Sequence, residues 1–290
     1  MANRTSPAEK NAVERGTLYL VATPIGNMAD LSPRAQKILS QVDFVAAEDT
    51  RNSGLMLSRL NISKPMVSYH EHNRRERGPQ IADRLQAGES CALVTDAGTP
   101  AISDPGEDLV RLCAERNIPV TAVPGCCAAV TALALSGLST VRFAFEGFLP
   151  ASGRERTERL NELKSETRTV ILYEAPHRLR ETLRDLSEAL GDRDAALCRE
   201  LTKLNEEIVR CTLPDAVRLY EEREPRGEYV IVVAGLSLAE QRADYPEDAA
   251  EHVALLEKSG LSRMDAIKAA AKARGVKKNE IYNAISRKEE

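Results

Sequence analysis

The residues best suited to chemistry lie where short apolar runs end. Val94-Thr95-Asp96-Ala97-Gly98-Thr99-Pro100-Ala101-Ile102-Ser103-Asp104-Pro105-Gly106 follows the strand-like run Cys91-Ala92-Leu93-Val94. Its Gly, Pro and Asp content predicts a tight turn at the carboxyl end of a buried strand, where open α/β sheets bind ligands. Asp104 followed by Pro105 reads as a helix N-cap and first helical position. Such a loop offers backbone N–H groups and carboxylates together, which suits a polar small molecule with an amino-acid end and a nucleoside end.

Other strand ends carry comparable groups. Ala22-Thr23-Pro24-Ile25-Gly26-Asn27 is stiff, with one Gly and one Pro, and lacks GxGxxG. A nicotinamide or flavin enzyme is disfavoured on that ground, and the absence of GxxxxGK[ST] disfavours a P-loop enzyme. Ala47-Glu48-Asp49-Thr50-Arg51 offers two carboxylates and an Arg to orient a polar substrate; equally, Asp49 or Thr50 caps the helix that begins near Arg51. His70 and His72 would share a face on a strand, yet no third ligand is evident and Arg74, Arg75 and Arg77 follow, so a substrate-facing loop is favoured over a metal site. Val123-Pro124-Gly125-Cys126-Cys127-Ala128 is a junction of small residues that permits close approach of a ligand; adjacent cysteines make poor disulfide partners. Tyr173-Glu174-Ala175-Pro176-His177-Arg178 and Cys198-Arg199-Glu200-Leu201-Thr202-Lys203 place acid–base and charge-steering groups at two further strand ends, with structural salt bridging as the alternative reading.

The elements that must position these groups alternate. Strand-like runs at 17–22, 43–47, 66–69, 91–95 and 120–123 are separated by helix-like runs at 32–40, 51–60, 74–87, 105–116 and 126–135. Apolar strands between helices predict a mainly parallel sheet covered on both faces. The texture changes around Gly147-Phe148-Leu149-Pro150, and residues 151–166 are charged and loop-to-helix-like. Strands at 169–173, 195–200, 207–212 and 228–233, with a helix at 176–190, predict a second α/β domain. The expected organisation is therefore a tail at 1–15, an α/β domain at 16–146, a second at 147–236, a linker at 235–246 and a helical region at 247–290.

Composition narrows the function. A chain of 290 residues that is 42% hydrophobic can bury two cores. Trp is absent and aromatics are few, which argues against a base-stacking platform. A net charge of −4 excludes a generic polyanion binder. No apolar run approaches the roughly 20 residues that span a bilayer, and residues 1–15 lack a signal peptide's apolar core. Six cysteines without CxxC spacing read as reduced thiols of a cytoplasmic protein. The charge is nevertheless uneven. Between Gly260 and Lys288 lie Arg263, Lys268, Lys272, Arg274, Lys277, Lys278, Arg287 and Lys288 against Asp265 and Glu280, a segment of +6 on a body of about −10. Ala266, Ile267, Ala270, Ala271 and Ala273 supply its apolar side, and the sequence around Gly275 reads as a helix-turn-helix. The first six of these basic residues are candidates for contact with an RNA backbone, the alternative being a solvated helical face.

Taken in order, TPIGN (23–27), EDTR (48–51), DAGTPAISDPG (96–106), PGCCA (124–128), EGFLP (146–150), YEAPHR (173–178), RELTK (199–203) and GEYV (227–230) resemble the tetrapyrrole methylase superfamily. These are the class III S-adenosylmethionine methyltransferases, and the motifs are similar to their ribosomal RNA small-subunit methyltransferase I family over about residues 16–288. The resemblance implies two α/β domains with the cofactor S-adenosylmethionine in the cleft between them, and a homodimer. It implies methyl transfer to the ribose 2′-oxygen of a cytidine in the decoding region of 16S rRNA, with the assembled small subunit as partner. It places Pro24, Ile25 and Gly26 beside the cofactor, with Asp96, Gly98, Thr99, Pro100 and Ile102 in the loop where tetrapyrrole enzymes carry Gly-Asp-Pro. Thr99 stands where those enzymes have the Asp. Cys127 and Ala128 match small residues flanking the cofactor, and Tyr173, Leu201 and Tyr229 match contacts from the second domain. The first loop departs from the GxGPGD of tetrapyrrole enzymes, which argues against the alternative of a porphyrin substrate; retained cofactor loops argue against a non-catalytic ribosome-binding scaffold.

A sulfonium methyl is already activated, so the protein mainly aligns donor and acceptor. A ribose hydroxyl must lose its proton near the transition state, to a carboxylate or a desolvated Lys. Glu200 or Lys203 is the expected acceptor, with Arg51, Glu48 and His177 as orienting groups, because all end strands on the expected cleft. No metal is expected.

Overall fold

A computed structural model of the chain describes residues 12–237, 246 and 248–289. Residues 1–11 of the expected tail and 238–245 of the expected linker lie outside the described residues, as do the side chains of Arg287 and Lys288. The first sheet contains β1 (Leu18–Val21), β2 (Phe44–Ala47), β3 (Met66–Ser68), β4 (Cys91–Val94) and β5 (Val120–Val123), in the order β3-β2-β4-β1-β5. Every neighbouring pair is parallel. Parallel strands need crossovers, and α1 (Pro33–Gln41), α2 (Thr50–Arg59), α3 (Arg74–Gln86) and α4 (Glu107–Glu115) supply four of them. Successive strand residues face opposite sides, so Leu18, Phe44, Ala46 and Leu93 join Ile81, Leu85 and Leu109 in one core, while Tyr19, Val45, Ala47 and Val94 join Ile38, Leu39 and Leu57 in another.

The second sheet is mixed. β6 (Phe143–Phe148), β7 (Thr169–Glu174), β8 (Asp194–Arg199), β9 (Glu207–Thr212) and β10 (Tyr229–Val233) lie in the order β6-β7-β10-β8-β9. Only β6 and β7 run parallel. One face is covered by α6 (Gly153–Lys164), α7 (Leu179–Leu190) and α8 (Leu213–Glu222), through Leu163, Leu183, Leu186, Ala216 and Tyr220. The other is covered by α5 (Ala128–Ser136), whose Ala129, Ala132 and Leu133 pack on Ile171, Ala196, Cys198, Val230 and Val232. Thus the helix that follows the last strand of the first sheet is the lid of the second.

β6 and α8 have no counterpart in the sequence reading. β6 occupies the texture change at 147, so the expected boundary between 146 and 147 falls inside a strand. Its alternation is broken by a register shift between Phe145 and Gly147, which hides it from a period-two reading. α8 follows β9 without a gap, capped by the Thr212 hydroxyl, which accepts from the Asp215 N–H at 3.3 Å. At the carboxyl end, α9 (Ala249–Lys258), α10 (Arg263–Arg274) and α11 (Lys278–Glu289) enclose a small core of Val253, Ala266, Ile267, Ala270, Ala271, Ile281 and Ile285. Gly275, left-handed at φ +66°, ends α10 and begins the turn between the last two helices.

Candidate active site

The loops after β1, β2, β4 and β5 leave the same edge of the first sheet, because the strands are parallel, and three of them are stitched together. Thr23 and Gly98 exchange backbone hydrogen bonds of 2.9 and 3.1 Å. The Thr23 hydroxyl donates to the Thr95 carbonyl at 3.1 Å, and that of Thr99 to the Cys126 carbonyl at 2.9 Å. A Cβ on Gly125 would stand 2.9 Å from that of Ala22, so only glycine lets the β5 loop approach the β1 loop this closely.

The second sheet brings its own edge to the same place. Because β10 runs antiparallel to both neighbours, its first residue, Tyr229, pairs with Glu174 at the end of β7 and Arg199 at the end of β8. The Tyr173 hydroxyl accepts the Ala129 N–H at 3.1 Å, tying β7 to the first turn of α5, and its ring meets Phe145 and Phe148 edge-on. Glu200 accepts from the Lys203 ammonium at 2.9 Å and the Glu228 N–H at 3.1 Å, and Lys203 also reaches the Glu228 carboxylate at 3.1 Å. A Cβ on Gly26 would fall 2.3 Å from Lys203 Cγ, so the first loop is shaped around this lysine's stem.

Between the two edges opens a cleft of about 480 Å³, within the range of small-molecule sites. Its charges are uneven. Glu48, Asp96 and Asp104 line the side of the first sheet. Burial, reinforced by Asp96, raises the Glu48 carboxyl. Burial, with Glu48 and Asp96 as like charges, pushes Asp104 up to about 7. On the other side burial pushes the Tyr173 phenol up to about 12. Burial alone would raise Glu200, but the Lys203 hydrogen bond and the Glu228 N–H hold it below the usual carboxylate range. Burial likewise works against the charge on Lys203, yet Glu200 and Glu228 raise it above the usual lysine range. Glu200 is thus favoured as the carboxylate and Lys203 as the ammonium, which suits a holding pair.

The candidate residues divide accordingly. Ile25, Asp96, Gly98, Thr99 and Ile102 line the cleft from the first sheet, Cys127 and Ala128 from the start of α5, and Tyr173, Leu201 and Tyr229 from the second sheet. Glu48, Glu200 and Lys203 join them. Pro24, Gly26 and Pro100 shape the loops without lining it. Arg51 and His177, expected as orienting groups, lie outside the lining. Arg51 turns back onto Asp49 at 2.7 Å with its side chain 87% exposed, and His177 is exposed outside the lining. Asp49 is the α2 N-cap, accepting the Arg51 N–H at 2.8 Å.

Asp104 is a correction. The helix it was expected to cap begins at Glu107 with Gly106 as N-cap, which leaves the Asp104 carboxyl to the cleft. The reason lies in the intervening backbone: Ala101 and Ser103 are left-handed at φ +69° and +61°, adding a coil before the helix starts. Ser103, Phe148 and Glu228 also line the cleft and were not singled out. Their only signal was membership in recurring motifs. Some motif residues are scaffolding instead. Arg178 donates to the Leu149 carbonyl at 2.7 Å, and buried Arg156 to the Pro150 carbonyl at 2.9 Å, so YEAPHR and α6 hold EGFLP in place. Buried Glu174 accepts from the Thr182 hydroxyl at 2.5 Å and the Ala175 N–H at 2.8 Å.

His70 and His72 follow β3 in a loop, rings 6.0 Å apart. Among the described residues no cluster of three or more His, Cys, Asp or Glu is placed to hold a metal. In the helical region Arg263, Lys268, Lys272, Lys277 and Lys278 are exposed, Lys268 pairing with Asp265 at 3.0 Å. Arg274 is turned inward, donating to the carbonyls of Pro246 and Asp248 and to His252 Nδ1. It closes the three-helix unit and is not one of the outward charges. No helix among the described residues is long and apolar enough to cross a membrane.

Comparison with known proteins fits this geometry. The sequence profile of the tetrapyrrole (corrin/porphyrin) methylases matches residues 17–217. A ribosomal RNA small subunit methyltransferase I from Synechocystis sp. is 46% identical over 268 residues, covering 92% of this chain and 96% of that protein. Proteins of the same name from Halalkalibacterium halodurans and Escherichia coli O157:H7 are 43% and 44% identical, covering 97% and 92% of this chain and 98% and 94% of theirs. Among solved structures, a cobalt precorrin-4 methyltransferase shares the fold with TM-score 0.58 and 19% identity, over 77% of this chain and 97% of its own. A Thermus thermophilus uroporphyrin-III C-methyltransferase complexed with S-adenosylhomocysteine gives 0.53 and 18%, over 75% and 92%. The chain belongs to the tetrapyrrole methylase family, among its ribosomal RNA small subunit methyltransferases I.

Proposed function

We propose that the chain transfers a methyl group from S-adenosylmethionine to the ribose 2′-oxygen of a cytidine in the decoding region of 16S rRNA, working as a cytoplasmic homodimer on the small ribosomal subunit. One observation carries the reading: the motifs shared with the rRNA family converge on a single cleft between the two sheets. The residues present fit the cofactor. Gly98 is left-handed at φ +86° with Ile25 and Cys126 just beyond a would-be Cβ, and the small residues Cys127 and Ala128 line the cleft at the start of α5. Glu48 and Asp96 suit positive charge, and Ile25, Leu201 and Val230 offer an apolar wall. When bound, S-adenosylmethionine supplies a sulfonium-activated methyl group. The chain's own task is then to align the acceptor, exclude water and take a proton. The Glu200–Lys203–Glu228 set braces one side of the cleft, and the exposed Arg263, Lys268, Lys272, Lys277 and Lys278 supply salt-dependent, sequence-independent attraction to the rRNA backbone.

Labelled methyl transfer to small subunits from cells lacking this protein tests the reading. One alkali-resistant ribose in the decoding region is the expected product. Cofactor binding without transfer to the subunit would overturn it and redirect attention to a small-molecule acceptor.

A further inference from the structure

We propose that Asp104 is the catalytic residue that accepts the proton of the acceptor hydroxyl. The assignment rests on the function proposed above and adds the group that function lacks. A proton acceptor must keep a lone pair open toward the cleft, and four of the six carboxyls lining it are engaged in hydrogen bonds or ion pairs. Asp96 accepts from the Asn52 amide at 2.8 Å. Glu174 is held by Thr182 and Ala175, while Glu200 and Glu228 share Lys203. Asp104 makes no hydrogen bond or ion pair among the described residues, and of the two carboxyls left open, Glu48 lies where the Asp96 backbone N–H opposes its uptake of a proton.

Its backbone is fixed. Ala101 and Ser103 on its amino side are left-handed, and Gly106 on the other is packed so closely that a Cβ there would meet Leu93 Cδ2 at 2.9 Å. The free carboxyl is thus held by the strained turn beneath it, as functional groups often are. The titratable groups acting on it are Glu48 at the end of β2, Asp96 beyond β4 and the Tyr173 hydroxyl on β7. Burial, and then the two carboxylates, bring its proton affinity to about 7, near the optimum for a base working at neutral pH.

In the step itself the acceptor's O–H bond breaks and its proton moves to an Asp104 carboxylate oxygen. The oxygen's electron pair forms the O–CH₃ bond, the S–CH₃ bond breaks with its pair left on sulfur, and Asp104 later releases the proton to solvent at the mouth of the cleft.

The test is single-turnover methyl transfer by the full chain to small subunits lacking the modification, comparing wild type, Asp104→Asn and Asp104→Glu. Asp104→Asn should lose about 10²- to 10⁴-fold in rate. Its cofactor affinity by calorimetry should stay within about twofold, and the rise of rate with pH should disappear. Asp104→Glu should recover part of the rate and of the pH dependence. A rate for Asp104→Asn within about threefold of wild type, an unchanged pH profile, or a loss matched by weaker cofactor binding would each overturn the assignment. Wild-type protein that methylates no ribose would instead overturn the function, and this assignment with it.

Discussion

The raised Asp104 carboxyl has a consequence for stability that needs no substrate. Its affinity for a proton moves from the ordinary 3.8 to about 7 on folding, through burial first and the carboxylates of Glu48 and Asp96 second. Between those values the folded chain holds a proton that the unfolded chain has released, so stability falls as pH rises across the window and the full penalty stands above pH 7. Three units correspond to about 4 kcal/mol for a fully buried group. Asp104 keeps part of its surface on the open cleft, and solvent screening reduces this to about 2 kcal/mol. Asp104→Asn removes the charge without removing a hydrogen bond, because the carboxyl makes none. The variant should therefore be more stable than wild type by about 2 kcal/mol at pH 8 and equal to it near pH 4. Urea denaturation of cofactor-free protein at the two pH values measures the difference; with no Trp in the chain, circular dichroism is the readout. A variant no more stable than wild type at pH 8, or a gap of equal size at both pH values, would refute the electrostatic reasoning.

Further outcomes follow from the same structure. Gly26→Ala should displace Lys203, whose Cγ lies 2.3 Å from the new Cβ, and weaken cofactor binding about tenfold by calorimetry while leaving the circular dichroism spectrum unchanged. Thr182→Val should cost about 1–3 kcal/mol in urea denaturation, because Thr182 donates to buried Glu174 and accepts from Arg156 at 3.0 Å. Replacing Lys272, Lys277 and Lys278 by Ala should reduce the salt slope of small-subunit binding by two to three, whereas Arg274→Ala should loosen the three-helix unit, read as faster hydrogen exchange in α9, with a smaller change in slope.

The sequence by itself determined most of the first sheet. Runs such as Cys91-Ala92-Leu93-Val94 are buried on both faces, and an unbroken apolar run bounded by Gly, Pro and Asp leaves little else for the chain to do. Because all five strands are parallel, every motif at a strand end had to reach one edge, so the cleft-lining loops were legible without coordinates. The second sheet was less so. β6 carries a bulge that destroys its alternation, and β10 gathers Tyr173, Glu200 and Tyr229 only through antiparallel pairing with two strands distant in sequence. Tertiary structure alone decided that α5 covers the second sheet, since an Ala-rich helix apolar all round does not announce its partner. It also decided the roles of charged side chains. Nothing in the local sequence at Arg51, His177 or Arg274 shows that the first two lie outside the cleft lining and the third turns inward, and Asp104-Pro105 has the local pattern of a cap. Charge and spacing specify what a side chain can do; the left-handed turns at Ala101 and Ser103, and the partners already taken by its neighbours, decide what it is left free to do.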